Sequence, residues 1–198
     1  MKVGYAVLYE NGELVISKNH TLLQKIIIKD YGEFEDINVP WKNEYSQIKK
    51  VQILDQVKSN YMKKWFIHCN HLTTLIDFKN LNVFDCVDFS NMFAYCKSLQ
   101  DLNGVQKWNV SNGTNFSDMF YNCNSLQNLN RLEKWNVSKG IDFSDMFTYC
   151  ESLKEISLPN SMKYLNRDMF FNCNEDLKIH WKKYTYTYAD LLEYEKIY

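Results

Sequence analysis

The feature that most constrains this 198-residue chain is a repeat of about 27 residues that is anchored on cysteine. Five cysteines follow one another at intervals of 27, 27, 27 and 23 residues: Cys69, Cys96, Cys123, Cys150 and Cys173. The residues around them also recur, as FSNMFAYCKSLQDL (89–102), FSDMFYNCNSLQNL (116–129) and FSDMFTYCESLKEI (143–156). Such a period indicates an array of similar units, because one unit cannot bury its own apolar side without a neighbour.

Two short patterns within the repeat predict local structure. Ser-Leu-x-x-Leu, as at 125–129, is typical of a brief strand, and Phe-Ser-Asp-Met-Phe is typical of a helix start capped by Ser117 or Asp118. The Trp-Asn-Val-Ser segments at 108–111 and 135–138 are expected to place Trp and Val in the core. The predicted fold class is therefore α/β, a solenoid of about five 23–27-residue units with short parallel strands.

The two ends of the chain lack the full repeat and are predicted to be caps. Residues 1–60 are expected to form a β-rich N-terminal cap with a hairpin at Asn11-Gly12, both turn residues having positive φ. Additional strands are expected at 26–28 and 48–54, and residues 61–180 form the array. Residues 181–198 form the C-terminal cap. It is expected to combine a strand at 181–188 with a short helix over 189–198, capped near Thr187.

The pattern W-N-V-S-x-x-x-x-F-S-D-M-F-x-x-C-x-S-L-x-x-L resembles the BspA-like leucine-rich repeat family, found in bacterial surface proteins and in mycoplasma repeat proteins. The resemblance covers about residues 61–180, and the segment 4–15 resembles the one that often precedes these repeats. It implies a right-handed leucine-rich repeat solenoid of short parallel strands, used for adhesion or for holding a protein partner. It implies no catalysis.

Charge and composition exclude several functional classes. The chain has 23 basic and 24 acidic side chains, and only Arg131 and Arg167 are arginine, which argues against direct nucleic-acid binding. No apolar run approaches the ~18 residues of a membrane span, and the first residues do not form a signal peptide. A cytoplasmic location in a host bacterium is expected, or a surface location if an export signal was removed. Neither cofactor nor metal is predicted, since no C-x-x-C pair occurs.

The repeated cysteines allow two interpretations. Their Cα atoms should lie about one strand spacing apart, which a disulfide tolerates, but parallel buried thiols favour a reduced structural ladder. Cys86 lies outside the ladder and is expected to face the core without a partner. His68 and Cys69 could form a nucleophile pair, but a worn repeat that tolerates polar replacements is the preferred explanation.

Variable positions within the constant repeat are those free to specify a partner. One predicted partner-binding row is polar and contains Gln100, Asp101, Gln127, Asn128, Lys154 and Glu155. A second is aromatic and contains Tyr95, Tyr121, Tyr149 and Phe171. The alternative is that these rings only cover the outside of the array. A C-terminal cluster with acidic neighbours, expected to dock on a basic protein surface, contains Tyr184, Tyr186, Tyr188, Tyr194 and Tyr198.

These observations predict a non-enzymatic, monomeric protein-protein interaction module. One concrete version is an inhibitor from a phage or other mobile element that blocks a host defence nuclease such as an RNA-guided effector, in the manner of an anti-CRISPR protein. The alternative is a bacterial surface adhesin, or a fragment of one, that binds host proteins. An export signal encoded upstream would favour the adhesin over the intracellular inhibitor.

Overall fold

The computed structural model describes residues 2–20, 25, 27–127, 129, 132–193 and 196–197. The strands in these residues are β1 (Lys2–Tyr9), β2 (Glu13–Ser17), β3 (Ile27–Glu35), β4 (Lys50–Ile53), β5 (Val57–Lys58), β6 (Thr74–Ile76), β7 (Leu81–Asn82), β8 (Glu155–Ser157), β9 (Leu165–Asn166), β10 (Lys178–Trp181), β11 (Tyr184–Thr187) and β12 (Lys196–Ile197). Within the same residues the α-helical content is one element, α1 (Tyr188–Leu192). Short 3-10 turns span Tyr45–Gln47, Phe78–Asn80, Val105–Lys107, Leu132–Lys134 and Arg167–Phe170.

The N-terminal sheet has the strand order β3-β1-β2-β4-β6. The predicted hairpin is confirmed, since β1 and β2 pair antiparallel with Leu8 opposite Leu14. Its loop, however, has three residues rather than two, and Gly12 has a positive φ of 79° whereas Asn11 does not. A glycine at the end of a three-residue loop lets the chain re-enter the second strand through a left-handed residue. Strand β4 confirms the strand expected near 48–54 and pairs parallel with β2.

The predicted leucine-rich repeat solenoid is wrong. The described strands form separate sheets of two to five strands, in which parallel and antiparallel pairs are mixed instead of forming one parallel stack. In the described residues of the segments 98–102 and 125–129, Ser-Leu-x-x-Leu forms no strand of a sheet. The backbones of the central repeats contact each other at isolated bridges, Asp88 with Asn115 and Asn115 with Asp142, and through single hydrogen bonds between turns.

The expected helix at Phe-Ser-Asp-Met-Phe is also wrong, so the α/β class does not hold. Asp118 and Asn122 have positive φ values of 54° and 59°, and a left-handed residue cannot continue a right-handed helix. Ser117 and Asp118 therefore do not cap a helix. Instead, the Ser117 backbone N–H donates to Oδ1 of Asn115 at 2.9 Å, which closes an Asx turn. Two left-handed residues in each of the three central repeats turn the chain where the sequence pattern predicts a helix.

Consecutive repeats contact each other through these turns and through a shared apolar core. The backbone N–H of Phe93 donates to the carbonyl of Met119 at 2.9 Å, and that of Phe120 donates to Met146 at 3.0 Å. The rings of Phe93, Phe120 and Phe147 stack at centroid distances of 5.8 and 5.7 Å. The predicted core positions Trp108, Val110, Trp135 and Val137 are confirmed as buried.

The C-terminal segment closes the last repeat with a small sheet. β10 pairs antiparallel with β11 and parallel with β8. The predicted cap of α1 is confirmed, because Thr187 Oγ1 accepts from the Asp190 N–H at 3.1 Å. The predicted helix over 189–198 is too long, since α1 ends at Leu192 and β12 follows; residues 194, 195 and 198 lie outside the described part. At five residues, α1 is far too short to span a bilayer, and the described chain offers no longer apolar helix.

Candidate protein-binding surface

Five ring-bearing side chains, one from each repeat, form a continuous row on the surface, which we call the aromatic row. Its members are His68, Tyr95, Tyr121, Tyr149 and Phe171. The successive ring centroids are 4.6, 5.3, 5.5 and 6.2 Å apart. The tyrosines are half-buried, and Phe171 is 52% exposed. The structure thus brings together the tyrosines and phenylalanine that the sequence predicts as a row and adds His68, which the sequence analysis considered only as a nucleophile.

The rings of the aromatic row contact one another, although they come from different sequence positions within their repeats. Tyr95 and Tyr149 directly precede a repeat cysteine and have positive φ values of 65° and 61°. Tyr121 stands one residue earlier in its repeat, and Asn122 takes the left-handed position there with φ 59°. Asparagine adopts this conformation far more readily than tyrosine does. The row is therefore continuous in space even though its sequence position shifts by one residue.

Three carboxylates interact with one another near Tyr121, and we call Asp118, Asp142 and Asp145 the acidic flank. Burial raises the pKa of Asp118, and the negative charges of Asp145 and Asp142 raise it further. Partial compensation comes from Asn91, whose Nδ2 donates to Asp118 Oδ2 at 3.4 Å, and from the positive charge of Lys64. Burial and the neighbouring rings of Tyr95 and Tyr149 raise the pKa of Tyr121, with a smaller contribution from Asp145. The Tyr121 hydroxyl therefore stays protonated and can donate a hydrogen bond next to acidic groups.

The polar row predicted from the sequence is only partly available to a partner. Gln100, Asp101, Gln127 and Lys154 are exposed, whereas Asn128 lies outside the described residues. The Gln127 backbone N–H donates to the Gln100 carbonyl at 3.1 Å, so these positions are neighbours in space. Glu155 already has a partner within the chain, because its Oε1 lies 2.7 Å from Nε2 of His180. A partner-binding role for this row stays a prediction.

The repeat cysteines form the reduced ladder that the sequence predicts: all six cysteines are free and buried. Each central thiol approaches a backbone carbonyl of the preceding repeat, as Cys123 Sγ does with Phe93 at 3.2 Å. Burial raises the pKa of Cys96, Cys123 and Cys150 well above the usual range. These thiols are held in the unreactive protonated form.

The hypothetical pair of His68 and Cys69 is not arranged as a nucleophile and base. The ring of His68 stacks on Tyr95 at 4.6 Å with an interplanar angle of 26°. The side chain of Cys69 has no exposed surface, so a substrate cannot approach its sulfur without rearrangement. Among the described side chains, no three His, Cys, Asp or Glu residues are grouped as a metal site would require.

The C-terminal tyrosines predicted as a docking cluster do not share one surface. Tyr184 is 54% exposed and contacts Tyr186 at a ring distance of 6.2 Å, whereas Tyr188 is buried in the core. Tyr194 and Tyr198 lie outside the described residues. Three rings of the proposed cluster therefore have different environments, and the aromatic row is the better-formed surface.

The acidic flank was not predicted from the sequence, although two of its members follow a periodic signal. Asp118 and Asp145 stand five residues before a repeat cysteine, as Asp168 does, at a position occupied by Lys64 and Asn91 in the earlier repeats. Asp118 and Asp145 have left-handed φ values of 54° and 55°, which the sequence pattern did not predict.

One comparison with known proteins gives a match. The sequence profile of the family described as "Mycoplasma protein of unknown function, DUF285" matches residues 42–183. This family is related to the BspA-like mycoplasma repeat proteins. No curated protein and no solved structure is significantly similar to the chain. The matched span includes the aromatic row and the acidic flank.

Proposed function

The chain belongs to this family of mycoplasma proteins of unknown function, and on that premise we propose that it is a non-enzymatic module that binds a protein partner through the aromatic row. The observation that carries the proposal is the unbroken series of ring contacts across five repeats on a partly exposed surface. Tyrosines are enriched at protein interfaces, since a rigid ring gives a large contact area and its hydroxyl gives a hydrogen bond.

A second observation supports a binding role for the row over mere covering of the core. Tyr95 and Tyr149 hold a left-handed conformation that bulky side chains rarely adopt. Left-handed non-glycine residues occur preferentially at functional sites, where the surrounding structure maintains them. If the rings only covered the core, the arrangement around Tyr121 would serve equally well, since there an asparagine takes the left-handed position and the tyrosine does not.

Two kinds of partner fit such a module. As an inhibitor from a phage or mobile element, the chain would occupy a surface of a host defence nuclease, for example an RNA-guided effector. As an adhesin or adhesin fragment, it would bind a host protein outside the cell. Both versions use binding without chemistry, so they differ in the partner and not in the surface.

The test is affinity capture with the tagged chain from bacterial lysate and, separately, from host cell-surface and matrix proteins, after nuclease treatment. A Tyr121→Ala/Tyr149→Asn variant removes two rings of the row, and Glu133→Gln, at an exposed position outside both rows, serves as the control. We expect one stoichiometric protein that the wild type and the control retain and that the aromatic variant loses. A partner that the aromatic variant keeps, or one that nuclease removes, contradicts the proposal.

A further inference from the structure

We propose that the partner presents an extended, lysine- or arginine-rich segment that lies along the aromatic row, with its cationic side chains between the rings and the acidic flank. This inference rests on the proposed function and specifies the chemistry of the partner. It concerns the middle of the row, where Asp145 acts electrostatically on both Tyr121 and Asp118, and where the Tyr121 backbone N–H donates to the Asp118 carbonyl at 3.0 Å.

Charge complementarity favours a cationic partner. In the described part of the chain, none of the ion pairs involves Asp118, Asp142 or Asp145. The neighbouring carboxylates at either end do have cations, since Lys63 Nζ lies 3.5 Å from Asp88 and Arg167 Nε lies 3.7 Å from Asp168. Negative charge is thus concentrated around Asp118, where Lys64 offsets it only in part, and a cation from outside the chain would reduce the repulsion among the three carboxylates.

The tyrosine rings also favour a cationic partner. The π-face of a tyrosine attracts a lysine ammonium or an arginine guanidinium within about 6 Å of the ring centroid. A nearby carboxylate adds a charge-assisted hydrogen bond to the same cation. The arrangement is unsuited to phosphate, which the acidic flank would repel, so RNA stacked on the tyrosines is disfavoured.

The spacing of the rings matches an extended peptide. In an extended peptide, side chains on one face are about 6.6 Å apart, because each residue rises about 3.3 Å and successive side chains alternate in direction. The ring centroids along the row are 5.3 to 6.2 Å apart from Tyr95 to Phe171. Every second side chain of an extended segment can therefore contact the ring of a successive repeat. This spacing predicts recognition of a segment in which basic residues alternate with other residues.

Fluorescence anisotropy with the purified full-length chain tests the inference. The probes are a labelled peptide in which lysine and threonine alternate, the matched peptide with glutamate in place of lysine, and a single-stranded RNA. We expect saturable binding of the lysine peptide, weakening steeply with added salt, and no comparable binding of the other two. Equal binding of the glutamate peptide or the RNA overturns the inference.

Variants locate the binding. Asp118→Asn/Asp145→Asn removes two charges of the flank while keeping side chains of similar shape, and we expect about tenfold weaker binding of the lysine peptide. The matched control is Glu10→Gln/Glu133→Gln, which removes two exposed carboxylates elsewhere and should leave the affinity unchanged. The same loss in both variants would mean non-specific attraction to net charge and would overturn the inference.

Failure of the inference is distinguishable from failure of the proposed function. If the lysine peptide does not bind but a captured protein still depends on Tyr121 and Tyr149, the row binds a partner of other chemistry. If neither the peptide nor a captured protein depends on these rings, both proposals fall.

Discussion

The ring of Tyr149 lies 5.5 Å from the ring of Tyr121, although the two tyrosines occupy different positions in their repeats. Tyr149 reaches the row from a left-handed residue with φ 61°, whereas in the repeat of Tyr121 that conformation belongs to Asn122. The contact is therefore maintained in spite of a shift in sequence register. The continuous row of rings, and not the backbone conformation at each ring, is therefore the feature that the two repeats share.

Tyr149→Asn is expected to separate binding from stability. A tyrosine in the left-handed conformation costs about 1–2 kcal/mol of backbone strain, and asparagine relieves that strain. The ring contacts that the substitution removes are worth about 0.5–1.5 kcal/mol each. Tyr149 contacts two rings, so the lost contacts total about 1–3 kcal/mol and are largely offset by the relief. The free energy of unfolding in urea should therefore change by about 1 kcal/mol or less while partner capture is lost. Tyr149→Ala removes the same ring contacts, but alanine relieves less of the left-handed strain than asparagine does. This variant should therefore be less stable than Tyr149→Asn. Equal stability of the two variants would contradict a cost of the left-handed tyrosine.

Asp118→Asn is expected to stabilise the protein at neutral pH. Burial and nearby carboxylates raise the pKa of Asp118 above its ordinary value of 3.8. The native state therefore favours the protonated form of this carboxyl group more than the unfolded state does. Stability from this group is complete below pH 3.8 and is lost as the pH rises through the higher native pKa. The variant should therefore gain up to about 1 kcal/mol at pH 7 and nothing near pH 3. Asn91 already occupies the equivalent position in the preceding repeat.

Urea unfolding at both pH values measures this difference, with Glu133→Gln as a control for the removal of one exposed charge. A stabilisation by Asp118→Asn that is the same at pH 3 and pH 7 would show that charge is not its cause. A more stable variant that binds the lysine peptide less tightly would show that the acidic flank is retained at the expense of stability.

The period of the chain and its inward-facing residues could be predicted from the sequence, whereas the backbone between them could not. Trp108 and Phe120 recur at fixed intervals beside polar residues, and recurrence of large apolar side chains identifies a core whatever the local structure. Asp118 and Asn122 carry no comparable signal for left-handed φ, because both residue types also suit helix caps and ordinary turns. The helix prediction is wrong at these residues, and for the same reason the acidic flank could not be predicted.

The buried thiols are expected to resist alkylation in the native state. Burial raises the pKa of Cys123 and Cys150 well above the usual range and raises that of Cys86 to about 12, so the reactive thiolate is scarce. Iodoacetamide at pH 8 should leave the folded protein unmodified over hours and label every cysteine once urea unfolds it. Mass spectrometry of intact protein counts the labels. Rapid modification of the native protein would show that the ladder opens readily or that one thiol is activated.

Phe120→Ala and Tyr121→Ala distinguish the core from the surface at adjacent residues. Phe120 is fully buried and stacks on Phe93 and Phe147 at 5.8 and 5.7 Å, so its truncation should cost about 3–5 kcal/mol. Met119→Asp should be worse, because it places an unpaired charge in the same core and is expected to unfold the array. Tyr121 is half-buried, and its truncation should cost clearly less than that of Phe120 while removing partner binding.

Equilibrium unfolding in urea, followed by tryptophan fluorescence, gives the free energies of unfolding for both alanine variants, and circular dichroism verifies that each remains folded. If Tyr121→Ala lost as much stability as Phe120→Ala, the rings of the aromatic row would serve to cover the core, and the binding role would lose its main support. A small loss of stability combined with a full loss of partner capture places the ring of Tyr121 at the interface, because a residue that only covers the core cannot affect binding without affecting folding.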